Sequence, residues 1–213
     1  MTGDTANQEL ENLLGLAPVI PVLVVDQAEI ARPLAEALVS GGLPVLEVTL
    51  RTPAAFEAIA AMAGVPGAVV GAGTLLNPHD IAAAQAAGAR FGVSPGATPS
   101  LLKATREAEF PLLPGMATAS EAMTLMEMGH RVLKFFPATA AGGVDMLKAL
   151  AGPLPGLRFC PTGGIGHDTA RDYLAQPNVL CVGGSWLAPR DRIAARDWDA
   201  IRTLAEEAAR LAR

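Results

Sequence analysis

The chain alternates between two spacings of apolar residues. Short, nearly continuous apolar runs occupy 19–25, 44–50, 68–73, 90–94, 110–114, 131–137, 157–162 and 179–184. Between them, at 27–40, 53–63, 78–87, 98–108, 118–128, 144–151, 168–175 and 197–212, the pattern is helical. The first kind has the length of strands buried on both faces, and the second the period of an amphipathic helix. Strands that alternate with helices form parallel sheets, because a parallel connection needs a crossover long enough to hold a helix. Eight such units within 213 residues predict an α/β fold of the (β/α)8 TIM-barrel type. A doubly wound open sheet is the rival fold, but it usually carries fewer strands. One more helical stretch, 5–15, precedes the first strand, so 1–15 reads as a helical extension of a single domain spanning 1–213.

Local signals agree with this count. Asn77-Pro78, Thr98-Pro99 and Thr52-Pro53 each place a capping side chain before a proline suited to the first helical turn. Gly41-Gly42, Gly88 and Gly129 stand where helices end. Hydrophobic residues make up 51% and charged residues 17%, which excludes a disordered chain. Aromatics are only 4%, so Ala, Val, Leu and Ile must fill the core. No apolar run is long enough to cross a membrane, and Met1-Thr2-Gly3-Asp4 does not resemble a secretory leader. Two cysteines, Cys160 and Cys181, fall inside predicted strands, as reduced thiols of a cytoplasmic protein would. A formal charge of −5 offers no basic stripe for nucleic acid.

Candidate chemistry lies where strands end, the side of a barrel on which active sites form. Lys134 sits in Arg131-Val132-Leu133-Lys134-Phe135-Phe136-Pro137. Burying an ammonium there is costly unless it is paired or neutralised, and a neutral lysine amine forms Schiff bases with ketones. The bland alternative is a strand-end lysine that snorkels to water. The other two lysines, Lys103 and Lys148, fall on helical positions. On the second strand, alternation puts Glu47, Thr49 and Arg51 on one side and Leu46, Val48 and Leu50 on the other. Glu47 is then either a general acid/base, with Arg51 receiving a substrate carboxylate, or simply the ion-pair partner of Arg51. Thr74 and Ser94-Pro95-Gly96 end strands three and four, and ordinary turn chemistry also accounts for them. Strands seven and eight end in Gly163-Gly164 and Gly183-Gly184, where backbone amides can approach an anion closely. Tight barrel corners would use the same residues.

Metal and thiol chemistry find no support. His79, His130 and His167 lack ligand spacing, and neither cysteine has a histidine partner in the pattern. Met116, Met123, Met126 and Met128 read as packing residues of the fifth helix or the core.

Taken together, Leu46-Glu47-Val48-Thr49-Leu50-Arg51-Thr52, Val70-Gly71-Ala72-Gly73-Thr74, Ser94-Pro95-Gly96, Lys134-Phe135-Phe136-Pro137-Ala138, Pro161-Thr162-Gly163-Gly164-Ile165 and Gly183-Gly184-Ser185-Trp186-Leu187 resemble the 2-keto-3-deoxy-6-phosphogluconate (KDPG) aldolases. That family also includes 4-hydroxy-2-oxoglutarate (KHG) aldolase activity. The resemblance runs from about Leu13 to the C-terminus, with motifs in the same order and spacing. It implies a homotrimeric Schiff-base lyase that needs no metal or other cofactor. Its substrate would be a phosphorylated 2-keto acid and its products pyruvate and glyceraldehyde 3-phosphate. Lys134 would form the Schiff base and Glu47 would shuttle protons. Arg51 and Thr74 would hold the carboxylate, and Pro95 and Phe136 would wall the imine. Thr162 would lie beside the substrate chain, and Gly163, Gly164, Gly184 and Ser185 would bind the distal phosphate. One stretch departs from the family: Thr139-Ala140-Ala141 stands where many members carry a glutamate and a small polar residue before the glycine pair Gly142-Gly143. A phosphate-binding isomerase or epimerase, which needs no covalent lysine, and a non-catalytic phosphosugar-binding barrel are the rival functions.

Overall fold

The computed structural model describes residues 3–211. Its strands are β1 (Val19–Leu23), β2 (Val45–Thr49), β3 (Val69–Gly73), β4 (Phe91–Val93), β5 (Leu112–Leu113), β6 (Gly115–Met116), β7 (Val132–Phe135), β8 (Arg158–Pro161) and β9 (Val182–Gly184). The helices are α1 (Gly3–Leu14), α2 (Ala31–Ser40), α3 (Ala55–Ala63), α4 (Pro78–Ala86), α5 (Pro99–Glu107), α6 (Ala119–Glu127), α7 (Gly143–Ala151), α8 (His167–Leu174), α9 (Arg190–Ala194) and α10 (Trp198–Ala209). Every ladder is parallel, in the orders β5-β4-β3-β2-β1-β9 and β6-β7-β8. The two sheets are one closed surface. β5 and β6 are halves of a single strand, and bridges at Phe159–Val179 and Thr162–Gly183 join the β8 side to the β9 side. The result is the predicted (β/α)8 barrel.

Pro114 explains the split strand. It has no N–H to donate to a ladder, so pairing changes hands there. On one side Ser94 N donates to Leu113 O at 3.2 Å, and on the other Lys134 N donates to Pro114 O at 2.9 Å. The strand therefore runs two residues past the expected end, to Met116.

Alternation along the strands sorts the apolar residues into two cores. Ile20, Val45, Phe91, Val93, Leu113, Val132, Cys160 and Cys181 fill the barrel interior. Leu46, Val48, Val70, Ala72, Leu133, Phe135 and Phe159 face outward and meet Leu34, Leu38, Ile59, Leu147 and Ile201 from the helices. Leu10 and Leu14 of α1 join the interior cluster and close the end of the barrel at which the strands begin. Gly71 makes room inside for Phe91, whose ring occupies the space a side chain at 71 would need.

Several expected elements shifted. α3 starts at Ala55 rather than at Pro53, because the Thr52 hydroxyl donates to Val25 O and ties the β2 end to the β1 end instead of capping the helix. Asn77, Thr98 and Thr118 do cap, accepting from Asp80 N, Leu101 N and Glu121 N. The stretch 27–40 opens with a tighter 3-10 turn, Ala28–Ile30. α9 was not expected; at five residues it is too short to carry a helical period. The expected extension 1–15 is α1, with residues 1 and 2 outside the described residues, as is residue 212 of the expected final helix. Met123 on α6 and Met128 just beyond it stand 49% and 38% exposed, so of the two packing places expected for the methionines, the helix or the core, neither residue occupies the core, whereas Met116 is buried.

Candidate active site

β2 and β7 carry the two charged side chains that the strands bury. Glu47 is 3% and Lys134 5% exposed, and Lys134 Nζ lies 3.2 Å from Glu47 Oε1. The pairing of Glu47 is therefore with Lys134, across the barrel, and not with Arg51. Lys134 does not snorkel. Its ammonium also lies over the ring of Phe136, 5.4 Å from the centroid, where the π face favours a cation. Thr49, one pleat further along β2, is fully buried and donates to Leu23 O at 2.9 Å. A buried pair of this kind is weak evidence for stability, since desolvation offsets much of its attraction. It does place a basic nitrogen and a carboxylate in contact, away from bulk water.

One strand glycine gives Glu47 its room, and two more yield space to other groups. A side chain at Gly73 would fall 2.7 Å from Glu47 Cγ and 2.9 Å from Cδ. At Gly183 it would run into the Thr162 side chain, and at Gly115 it would meet the backbone of Pro95. Gly115 pairs in register with Lys134, so the Pro95 turn is seated beside the β7 end. Sequence reasoning offered Gly183 only as part of an anion-binding glycine pair, gave no role to Gly73 or Gly115, and missed the close approaches that all three permit. The available signal was glycine inside a strand, which marks the close approach of another group.

The remaining predicted residues lie at or just beyond the same ends of the strands. Thr74 follows Gly73 directly, and its φ of 64° is costly for a β-branched residue. Arg51 lies beyond β2 in a turn closed by Arg51 N donating to Thr49 O at 2.8 Å, and it is exposed. Phe136 lies against Gly163, where a side chain would come within 3.3 Å of its ring. Thr162 is nine-tenths buried, bridges to Gly183 and has its hydroxyl 4.0 Å from Cys160 Sγ. The two glycine pairs differ in kind. Gly163 and Gly164 are both left-handed, with φ of 101° and 75°, a backbone that glycine adopts without strain. Gly184 belongs to β9 itself and leaves space for the Trp186 ring, with Ser185 exposed beyond it. Among the described residues, no group of three His, Cys, Asp or Glu lies close enough to hold a metal ion.

A (β/α)8 barrel with a lysine–carboxylate pair buried under a glycine-lined mouth is the class this geometry defines. The chain belongs to the KDPG and KHG aldolase family, whose model matches residues 10–204. It is 55% identical over 199 residues to the KHG/KDPG aldolase of Escherichia coli, covering 93% of each chain. It is also similar to the KDPG aldolase structure of Zymomonas mobilis with 3-phosphoglycerate, at 49% identity and a TM-score of 0.94 over 97% of this chain and 98% of the other. A Legionella pneumophila KDPG aldolase structure, with pyruvate captured as a covalent carbinolamine, matches at 48% identity and a TM-score of 0.91 over 93% and 97% of the two chains.

Proposed function

We propose that the protein cleaves KDPG to pyruvate and glyceraldehyde 3-phosphate through a Schiff base on Lys134, with Glu47 as the proton carrier, and that it also cleaves KHG to pyruvate and glyoxylate. The observation that carries this reading is the 3.2 Å contact between two buried, oppositely charged side chains on β2 and β7. An ammonium held against a carboxylate can pass it a proton and, as the free amine, add to a carbonyl. The covalent pyruvate adduct of the Legionella relative supports the same chemistry here.

The reaction runs as follows. Glu47 accepts a proton from Lys134, and the free amine adds to carbon 2 of the keto acid. The carbinolamine takes that proton back from Glu47 on its hydroxyl and loses water, which leaves a protonated imine, an electron sink, and Glu47 again as a carboxylate. Glu47, directly or through a water, takes the proton from the hydroxyl at carbon 4. The bond between carbons 3 and 4 breaks, its electrons pass into the imine, and glyceraldehyde 3-phosphate leaves. Glu47 returns the proton to carbon 3 of the enamine, and hydrolysis frees pyruvate and Lys134. A positioned proton carrier of this kind contributes typically about 10²–10⁴-fold.

Binding divides along the mouth. Arg51, exposed among the β2-end residues, and Thr74 receive the keto-acid carboxylate, which a guanidinium fork suits. Pro95 and Phe136 wall the imine, and Thr162 flanks the chain at carbon 4. The amides of Gly163, Gly164, Gly184 and Ser185 hold the phosphate, at the loops where such barrels bind phosphate. On this reading residues 1–213 form one catalytic domain, which the insertion of Leu10 and Leu14 into the barrel end supports. The assembly is a homotrimer and the compartment the cytoplasm. Cys160 and Cys181 are both buried, and no described helix is long and apolar enough to cross a membrane.

Borohydride reduction in the presence of pyruvate, followed by peptide mass mapping, tests the proposal. The expected adduct is on Lys134. No adduct, or one on Lys103 or Lys148, removes the mechanism and favours an isomerase.

A further inference from the structure

The loop after β7 touches the left-handed glycine turn from two sides. Thr139 N donates to Gly163 O at 3.1 Å, and the Thr139 side chain packs on Gly164, where any side chain would fall 2.7 Å from Thr139 Oγ1 and 2.8 Å from its Cβ. Thr139 Oγ1 in turn lies 3.3 Å from the hydroxyl of Tyr173. Tyr173 is buried on α8, the helix that the glycine turn leads into. Its hydroxyl also lies under Gly143, where a side chain would come within 3.3 Å. So one phenol hydroxyl meets both ends of the 139–143 loop, and Thr139 spans from that hydroxyl to the turn.

We infer that the Thr139–Tyr173 hydroxyl pair is a positioning device that holds the Gly163-Gly164 amides in the geometry that receives the substrate phosphate. The inference rests on the phosphate reading given above. Two consecutive glycines have the greatest backbone freedom in the chain, so an anion must order them unless something else already has. A β-branched side chain is stiff about its first torsion, and a hydrogen bond to Tyr173 selects its orientation. Thr139 therefore both requires glycine at position 164 and restrains it. Neither Thr139 nor Tyr173 needs to touch the reacting carbons, so the effect is confined to the phosphate end.

The test compares Tyr173→Phe and Thr139→Val, each losing one hydroxyl at nearly constant volume, with Thr139→Ser, which keeps it. KDPG and the unphosphorylated KHG are the substrates, and inorganic phosphate is the competitive inhibitor. Tyr173→Phe and Thr139→Val should each raise the KM for KDPG and the inhibition constant of phosphate by roughly three- to ten-fold, the effect of one lost hydrogen bond. The kcat for KDPG and the KM for KHG should stay within about two-fold, which marks lost binding of the phosphate rather than lost chemistry. Thr139→Ser should behave like the parent, and the double variant should be no worse than either single one. Equal shifts for both substrates, or no shift for either, would overturn the inference while leaving the phosphate reading intact. If the parent protein itself neither prefers the phosphorylated substrate nor is inhibited competitively by phosphate, both are wrong.

Discussion

Replacing Gly73 by alanine would add one methyl group beside the proposed proton carrier. Gly73 ends β3, and its backbone is not among the left-handed glycines, so alanine meets no backbone strain there. The cost falls on Glu47. The new methyl carbon would lie 2.7 Å from Glu47 Cγ, about 0.7 Å inside ordinary contact at 3.4 Å. The carboxylate must retreat by about that much, and its 3.2 Å bond to Lys134 stretches beyond useful hydrogen-bond length. A misplacement approaching 1 Å at a catalytic group costs roughly 100-fold in rate. That corresponds to about 2.7 kcal/mol in the barrier. Pyruvate release followed through a coupled lactate dehydrogenase reaction would read kcat, and thermal unfolding would check that the barrel is intact. Borohydride should still trap pyruvate on Lys134, because the lysine is not displaced. A folded Gly73→Ala enzyme turning over within about three-fold of the parent would refute the claim that this glycine sets the carboxylate position.

Glu47→Gln should slow turnover by about 10²–10⁴-fold while some borohydride-trapped adduct persists, since imine formation needs the amine first; unaltered kcat would remove Glu47 from the mechanism. Leu14→Ala should destabilise the protein by about 2–5 kcal/mol in denaturant unfolding, because Leu14 is fully buried where α1 plugs the barrel; a loss below about 1 kcal/mol would mean that α1 is dispensable for closure. Burial, and then the Arg106 guanidinium, hold the His130 imidazole below its ordinary range. The unfolded chain therefore binds the proton more readily, and this stability is present above about pH 6.5 and lost as pH falls through the folded value. His130→Asn should lose less melting temperature than the parent between about pH 7 and 5, and parallel losses would show that His130 is not the titrating group.

The eight β-α units, the N-terminal helix and the positions of nearly all the strands were legible in the sequence, because hydrophobic period depends on local geometry that every residue of an element repeats. The Lys134 and Glu47 candidates were legible too, since charge inside an apolar run is conspicuous without coordinates. Their order of pairing was not. Local spacing offered Arg51 as the partner of Glu47, four residues away, while the true contact spans 87 residues and exists only because the sheet closes. The same closure decided what the strand glycines do: Gly73, Gly115 and Gly183 look alike in sequence, yet each yields space to a different neighbour across a ladder. It also decided that Gly163 and Gly164 are left-handed while Gly184 is part of a strand. The sequence determined which elements form and which residues face inward. Contacts between residues distant along the chain were decided by the tertiary structure, because the distance between two side chains in a barrel depends on strand order and register rather than on their separation in the chain.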